Sequence, residues 1–345
     1  MYFFFLWFLV GFARLEIDIP DSLDDLNPIK ISQLFEKFIK EYKKSYETPL
    51  EKTQALATFG ENLATIINLN IESVKSNLQF GVNQYADLTD EEFSDKILTL
   101  EPKIGSDNLF RESIYNSTNF VVHPDSWDWR SKKVVAPVKY QGGCGCCWAF
   151  TTVAVVQSVI AIKTGKIPEP SEQELCDCGQ GKGRAGCNGG NLGKSFDYVK
   201  NNGITEETNY PKYNDKRATT DQVCEESGKP NNIKISNYQF ISQATVPLLE
   251  DALINKGPLG VGFRVGKSFR YYKSGIFAST DCDVKSTFYG WHAVTVVGYG
   301  VENKIPFWIV KNSWSEKWGE QGYFRIIKGR NLCGFEQTMP FFAEP

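Results

Sequence analysis

All nine cysteines of this 345-residue chain lie between Cys144 and Cys333, and the residues before Cys144 contain none. The chain therefore has two parts held by different means, a leading part that can rely only on packing and a trailing part that can be cross-linked. Nine is odd, so at least one thiol stays free or pairs between chains. The first thirteen residues, MYFFFLWFLVGFA, form an apolar run too short to span a bilayer, with the small residues Gly11 and Ala13 where a signal peptidase reads. Residues 1–13 read as a signal peptide, and no later stretch reads as long and apolar enough to cross a membrane. An exported chain folds on an oxidising route, where cysteines form a disulfide framework. A thiol left over in such a chain is a candidate nucleophile.

In the leading part, Ile31, Leu34, Phe35, Phe38 and Ile39 fall at helical spacing, as do Leu56, Phe59, Leu63, Ile66 and Ile67. This predicts two amphipathic helices, with Pro49 in the break between them. A polar stretch from Ser106 to Asn119 reads as an exposed linker, and its acceptor triplet Asn116, Ser117, Thr118 marks Asn116 for glycosylation. Residues 1–123 carry 11 basic and 19 acidic side chains, net −8, while residues 124–345 carry 27 and 22, net +5. The opposite signs predict attraction between the parts, with Asp87, Asp90, Glu91 and Glu92 as candidate partners, weakening as acid protonates them. The whole chain has a net charge of −3 and no lysine or arginine cluster, which sets nucleic acid aside as a partner.

Beyond His123, the run WAFTTVAVVQSVIAI from Trp148 to Ile162 is closed by Lys163, Thr164 and Gly165, the pattern of a buried helix with a glycine stop. From about Ile233 the chain turns to β-branched and aromatic runs bounded by glycines, which are strands and turns. Helix first and strands later predict an α+β protein of two lobes. Cys147 stands at the head of the buried helix. A cysteine there is more often a packed core thiol than a nucleophile, but a helix N-terminus is also where a thiolate is stabilised. The chain has only two histidines, His123 at the boundary and His292, so a His-dependent thiol beyond the boundary has one available partner. Asn312, in the run KNSW, is a polar amide able to orient an imidazole, though such a residue alone reads as a turn.

These residues stand in a wider pattern. Cys144, Gly145, Cys146, Cys147 and Trp148 lie inside QGGCGCCWAF, and His292 and Asn312 follow Cys147 by 145 and 165 residues. Further runs are DWR at Asp128–Arg130, SEQEL at Ser171–Leu175, CNGG at Cys187–Gly190, HAV followed by VGYG, and NSW followed by WGEQGY. Upstream, Glu51, Phe59, Asn62, Ile66 and Asn70 form an interrupted helix motif, and Gly81, Asn83, Tyr85 and Asp87 form a second motif. Over nearly its whole length the chain resembles the papain family, which includes the lysosomal cathepsins, with a prodomain of the cathepsin L-like type. Asn312 lies a little beyond the family's usual interval. Ala55 stands where the family has arginine, and Tyr85 where it has phenylalanine.

The resemblance implies a papain-like two-lobed fold, a helical lobe (about 133–232) and a β-barrel-like lobe (about 233–345) with the active-site cleft between them. It implies an inhibitory prodomain over residues 14–123 and a peptidase domain over 124–345. It assigns Cys147 as thiolate nucleophile, His292 as its imidazolium partner and Asn312 as the residue holding the imidazole, with Trp314 shielding it. Thiol pKa values in such pairs fall to roughly 3–4. Gln141 and the backbone N–H of Cys147 would form the oxyanion hole. Leu192, Gly262, Gly290, Ala293 and Thr338 match the main specificity pocket, an apolar set that predicts a hydrophobic residue two positions before the cut. Gly190, Asn191 and Trp314 match further substrate contacts. The implied disulfides are Cys144–Cys187, Cys178–Cys224 and Cys282–Cys333, leaving Cys146 and Cys176 as two buried thiols or a fourth bridge.

The implied activity is that of a cysteine endopeptidase made as an autoinhibited precursor, using neither cofactor nor metal. Its partners would be protein and peptide substrates, its own prodomain and cystatin-like inhibitors. The resemblance also implies a monomer, lysosomal or secreted. Cathepsin B-like dipeptidases carry a histidine-bearing insertion, whereas only eight residues, none of them histidine, separate Cys178 from Cys187. A catalytically silent binding homologue would have lost a triad residue, and none is lost. A thiolate metal site at Cys144, Cys146, Cys147, Cys176, Cys178 and Cys187 conflicts with the disulfide pattern. Two departures touch the cleft: Trp291 replaces the Asp or Asn before the histidine, and Ser315 the glycine after NSW.

Overall fold

In the computed structural model, which describes residues 17–102, 115, 123–181, 186–215, 224, 230, 232–338 and 340–345, the two amphipathic patterns become helices α1 (Pro28–Tyr42) and α2 (Pro49–Glu72). Residues 1–13, which read as a signal peptide from sequence, and Asn116 lie outside the described residues. Both helices start on a side-chain cap followed by proline: Asn27 accepts from Lys30 N and Thr48 from Glu51 N. Pro49 thus opens α2 rather than lying in the break. Leu34, Phe35, Phe38, Phe59 and Leu63 close a small core between them. A shorter helix, α3 (Asp90–Ile97), begins on a capping box between Thr89 and Glu92.

Helix α4 (Cys147–Thr164) is buried over most of its length and stops at Gly165, whose φ of 74° is the left-handed conformation that glycine adopts without strain. It is long and apolar enough to cross a membrane by composition, contrary to the sequence expectation, yet most of it is buried inside the protein as a core helix. Around it pack α5 (Glu172–Cys178) and α6 (Leu192–Asn201). A further helix, α7 (Val246–Lys256), interrupts the region that reads as strands.

The strands are β1 (Gln79–Phe80), β2 (Trp127–Asp128), β3 (Asn237–Phe240), β4 (Leu259–Gly266), β5 (Tyr272–Ser274), β6 (Ile276–Phe277), β7 (Phe288–Glu302), β8 (Ile305–Lys311), β9 (Tyr323–Ile327) and β10 (Phe341–Glu344). The large sheet runs β3-β10-β4-β7-β8-β9-β6, with β2 also on β7. The lobes exchange chain ends. Tyr238, Phe240 and Phe341, from the strand-rich part, pack in the core around α4, while Trp129 packs in the core of the β lobe.

The leading part docks on the β lobe, where β1 pairs with β5 and Ile66, Phe80, Tyr85, Phe93 and Ile97 enter that lobe's own core. Apolar burial therefore dominates the attachment. Ion pairs of lysine and arginine that cross the interface include Asp90 to Lys267 at 3.2 Å, Asp90 to Arg270 at 3.3 Å and Glu41 to Lys317 at 2.8 Å, and at the boundary His123 lies 3.3 Å from Glu250. Asp87 instead pairs with Lys44, and Glu92 with Lys96, both within the leading part. Each of these lysine and arginine pairs has at least one partner about 40% exposed, Asp90 in the case of the buried Arg270, and such pairs contribute little each, so the net charges of −8 and +5 are a minor part of the attachment.

Candidate active site

The sheet register brings the histidine and asparagine together. In the antiparallel pairing of β7 and β8, Thr295 faces Lys311; continuing that register past the end of β8 sets Asn312 and Trp314 beside His292. His292 Nε2 lies 2.8 Å from Asn312 Oδ1, which also accepts the Ser313 N–H at 2.8 Å. An accepting oxygen requires Nε2 to carry the proton, which leaves Nδ1 as the free lone pair, and Nδ1 has no hydrogen-bond partner among the described residues. The Trp314 ring covers the imidazole at 4.7 Å between centroids.

Cys147 is the first residue of α4, and its sulfur accepts the backbone N–H of Ala293, the residue after His292, at 3.4 Å. The helix N-terminus and the imidazole strand therefore converge on one sulfur. Gln141 is fully buried beside them; its Nε2 donates to Cys144 O at 2.9 Å, and its Oε1 accepts from Ser313 Oγ at 2.5 Å. Burial pushes the Cys147 thiol up to about 12. It also pushes His292 down to about 4, against the Asn312 hydrogen bond, which raises it. Burial in this closed form therefore favours the neutral thiol and the neutral imidazole.

What closes it is a segment the sequence reading did not single out. Residues 97–101 lie across the cleft: Leu100 N donates to Trp291 O at 3.2 Å, Glu101 N to Gly190 O at 2.8 Å, and Asn191 Nδ2 to Glu101 O at 3.1 Å. Ile97 O lies 3.5 Å from Gln141 Nε2, so a carbonyl of the leading part already sits against that donor. Leu100 is buried in the same cluster as Cys147, Leu192 and Ala293. A Cβ added at Gly262 would come within 2.8 Å of Leu100 Cδ2 and 3.2 Å of Thr338 Cγ2, so glycine there leaves room for the leucine. Gly290 instead faces Leu98. The alternation of apolar residues in ILTLEP was the signal available for this segment.

Arg270 is a second residue whose role sequence alone does not reveal. It is fully buried, donating to Tyr85 O and, at 2.6 Å, to Leu88 O, while Asn83 Nδ2 donates to Arg270 O at 2.7 Å. A lone charge inside the aromatic run SFRYY was its sequence trace. Of the two departures, Trp291 serves the cleft through its backbone carbonyl. Ser315 has φ 71°, a left-handed conformation that costs a residue with a Cβ about 1–2 kcal/mol. Replacing Ser315 by glycine relieves this, less the added chain entropy of glycine. A thermal melt of the precursor should show Tm rising by about 2 °C; a fall would mean that the Ser315 Oγ bond to Lys317 N, at 3.1 Å, matters more than the strain.

The structure joins Cys144 to Cys187, Cys178 to Cys224 and Cys282 to Cys333, and leaves Cys146, Cys147 and Cys176 as thiols. The sulfurs of Cys144, Cys146 and Cys176 lie within 4.8 Å of one another, but that of Cys144 is bonded to Cys187, so this trio offers two thiols and not a three-thiolate metal site.

Residues 123–342 match the family described as papain family cysteine protease, and residues 35–93 match the cathepsin propeptide inhibitor domain. The chain is 36% identical over 308 residues to thiol protease aleurain of Arabidopsis thaliana, covering 87% of this chain and 81% of the relative. It is 35% identical over 310 residues to pro-cathepsin H of Bos taurus, covering 89% and 88%. The solved structure of digestive procathepsin L 3 from Tenebrio molitor larval midgut superposes with a TM-score of 0.76 at 30% identity, over 91% of this chain and 99% of that one.

Proposed function

Because the chain belongs to the papain family of cysteine proteases and carries that family's propeptide inhibitor domain, we propose that Cys147 is its nucleophile, His292 its proton carrier and Asn312 the group that fixes the imidazole. The protein is a cysteine endopeptidase that hydrolyses peptide bonds in protein substrates through a thioester acyl-enzyme, and its own prodomain inhibits it. One observation carries the residue assignment: Asn312 holds Nε2 of His292 under Trp314 while Cys147 Sγ rests on the next backbone N–H of the same strand.

When the prodomain leaves, water reaches the cleft and the desolvation that favours the neutral pair falls away. The Cys147 proton then passes to His292 Nδ1, and the thiolate at the head of α4 adds to the scissile carbonyl. The oxyanion takes the place of Ile97 O before Gln141 Nε2, with the Cys147 N–H as second donor, a pairing typically worth about 3 kcal/mol per donor in the transition state. His292 protonates the leaving amine, and then as base directs water onto the thioester.

Leu100 shares an apolar cluster with Leu192 and Ala293 and lies against Gly262, which Thr338 also approaches, and there is no carboxylate among these residues. Profiling the mature enzyme with peptide libraries should give leucine or phenylalanine two positions before the cut at least about ten times the kcat/KM of arginine. Faster cleavage after arginine at that position would refute the pocket assignment.

The proposed division is signal peptide 1–13, prodomain 14–123 and peptidase 124–345, in a monomer that is lysosomal or secreted, glycosylated at Asn116 and open to cystatin-like inhibitors. Acid opening has a local device in Glu92. Burial raises its pKa, but the Thr89 N–H, Lys96 and Arg270 outweigh that and hold it below its ordinary 4.5. The stability it lends is therefore present above 4.5 and fades as pH falls through the lowered value, which loosens the first turn of α3.

A further inference from the structure

Two thiols remain once the three disulfides and Cys147 are set aside, and they are neighbours. Cys146 is the N-cap residue of α4, directly before Cys147, and Cys176 sits in α5. Their exposures are 0% and 1%, and their sulfurs lie within 4.8 Å of each other. Cys146 Sγ also contacts Tyr213 Oη at 3.2 Å, and that hydroxyl donates to Gln141 O at 2.6 Å. A single buried thiol is an ordinary small apolar side chain. Two facing each other are different in a chain that already carries three disulfides, because such a chain folds where thiols are oxidised.

We propose that Cys146 and Cys176 close as a fourth disulfide, tying α5 to the residue that begins the catalytic helix. One thiolate attacks a small disulfide such as glutathione disulfide, forming a mixed disulfide and releasing one glutathione. The second thiolate attacks the protein sulfur of that mixed disulfide and releases the other glutathione. The protein loses two protons and two electrons, and one glutathione disulfide becomes two glutathiones. Both sulfurs are sealed once α4 and α5 have packed, so the exchange belongs to folding. The finished bridge would hold the turn before the nucleophile from two sides, through Cys144–Cys187 and through Cys146–Cys176, next to the Tyr213 hydroxyl that steadies Gln141. Nothing in this depends on Cys147 being the nucleophile.

The test is to refold the full-length Cys147→Ser precursor in a glutathione buffer, alkylate it, and map tryptic peptides without reduction. Trypsin places Cys144 and Cys146 on peptide 140–163, Cys176 and Cys178 on 167–182, and Cys187 on 185–194. With three bridges only, 140–163 is linked to 185–194, and 167–182 is linked separately to the peptide of Cys224. A fourth bridge fuses these two pairs into one four-peptide assembly, and fragmentation between Cys144 and Cys146 assigns the new link to Cys146. Recovery of two separate pairs with Cys146 and Cys176 both alkylated would overturn the proposal, as would a link that maps to Cys144.

Discussion

Replacing Cys147 by serine should leave a folded, prodomain-bearing precursor whose peptidase activity, after the prodomain is cut away by another protease, is lower by on the order of 10,000-fold or more. Serine is only slightly smaller than cysteine and offers an acceptor towards the Ala293 N–H, so the fold should be little disturbed. It replaces a thiol, which can ionise beside an imidazole before substrate is attacked, by a hydroxyl that is a far weaker acid and would stay protonated there. His292→Ala should cost nearly as much, and the two losses should not add, since the residues act as one unit. The check is kcat/KM on a fluorogenic peptide, with circular dichroism as the control for folding. Comparable activity in the serine variant would mean that another residue attacks the substrate.

Leu100→Ala should release the prodomain's hold on the cleft. The leucine is 5% exposed and packed in the cluster that contains Cys147, Leu192 and Ala293. Truncating a leucine so buried costs about 2–4 kcal/mol, or about 30- to 1,000-fold in the closed-to-open equilibrium. Only the closed form gains from that contact, so mature activity should be untouched while the precursor cleaves itself faster at any given pH. Following maturation by gel for the two precursors measures the ratio. Equal rates would place the inhibitory grip elsewhere, on Arg270 and the β1–β5 pairing.

The elements that sequence alone reveals here share a local cause. Helices α1, α2 and α4 repeat apolar residues at helical spacing, and α4 ends at a glycine that needs a left-handed conformation. Helix α7 was hidden because Val246, Leu248, Leu249 and Ile254 resemble strand composition, although Thr245 and Pro247 form a helix start. The triad candidates were legible through the scarcity of histidine and a family motif, not through any local preference. The cleft-crossing segment and Arg270 were not, because their role exists only in contacts some 90 to 190 residues apart in sequence, such as Glu101 with Asn191 and Leu88 with Arg270. Attachment of the prodomain is only partly legible for a related reason. Net charge can be counted along a chain, whereas the burial of Phe80, Tyr85, Phe93 and Ile97 on the β lobe cannot.

The central claim is that one thiol, Cys147, does the chemistry and that the prodomain seals it. Treating precursor and mature enzyme side by side with a peptide bearing an electrophilic epoxide, then locating the adduct by mass spectrometry, tests both halves at once. The expected result is one adduct per mature chain, on Cys147, with activity lost in proportion, and slow or absent labelling of the precursor, where burial covers the thiol and disfavours its thiolate. An adduct on Cys146 or Cys176 that abolishes activity, or equally fast labelling of precursor and mature enzyme, would contradict it.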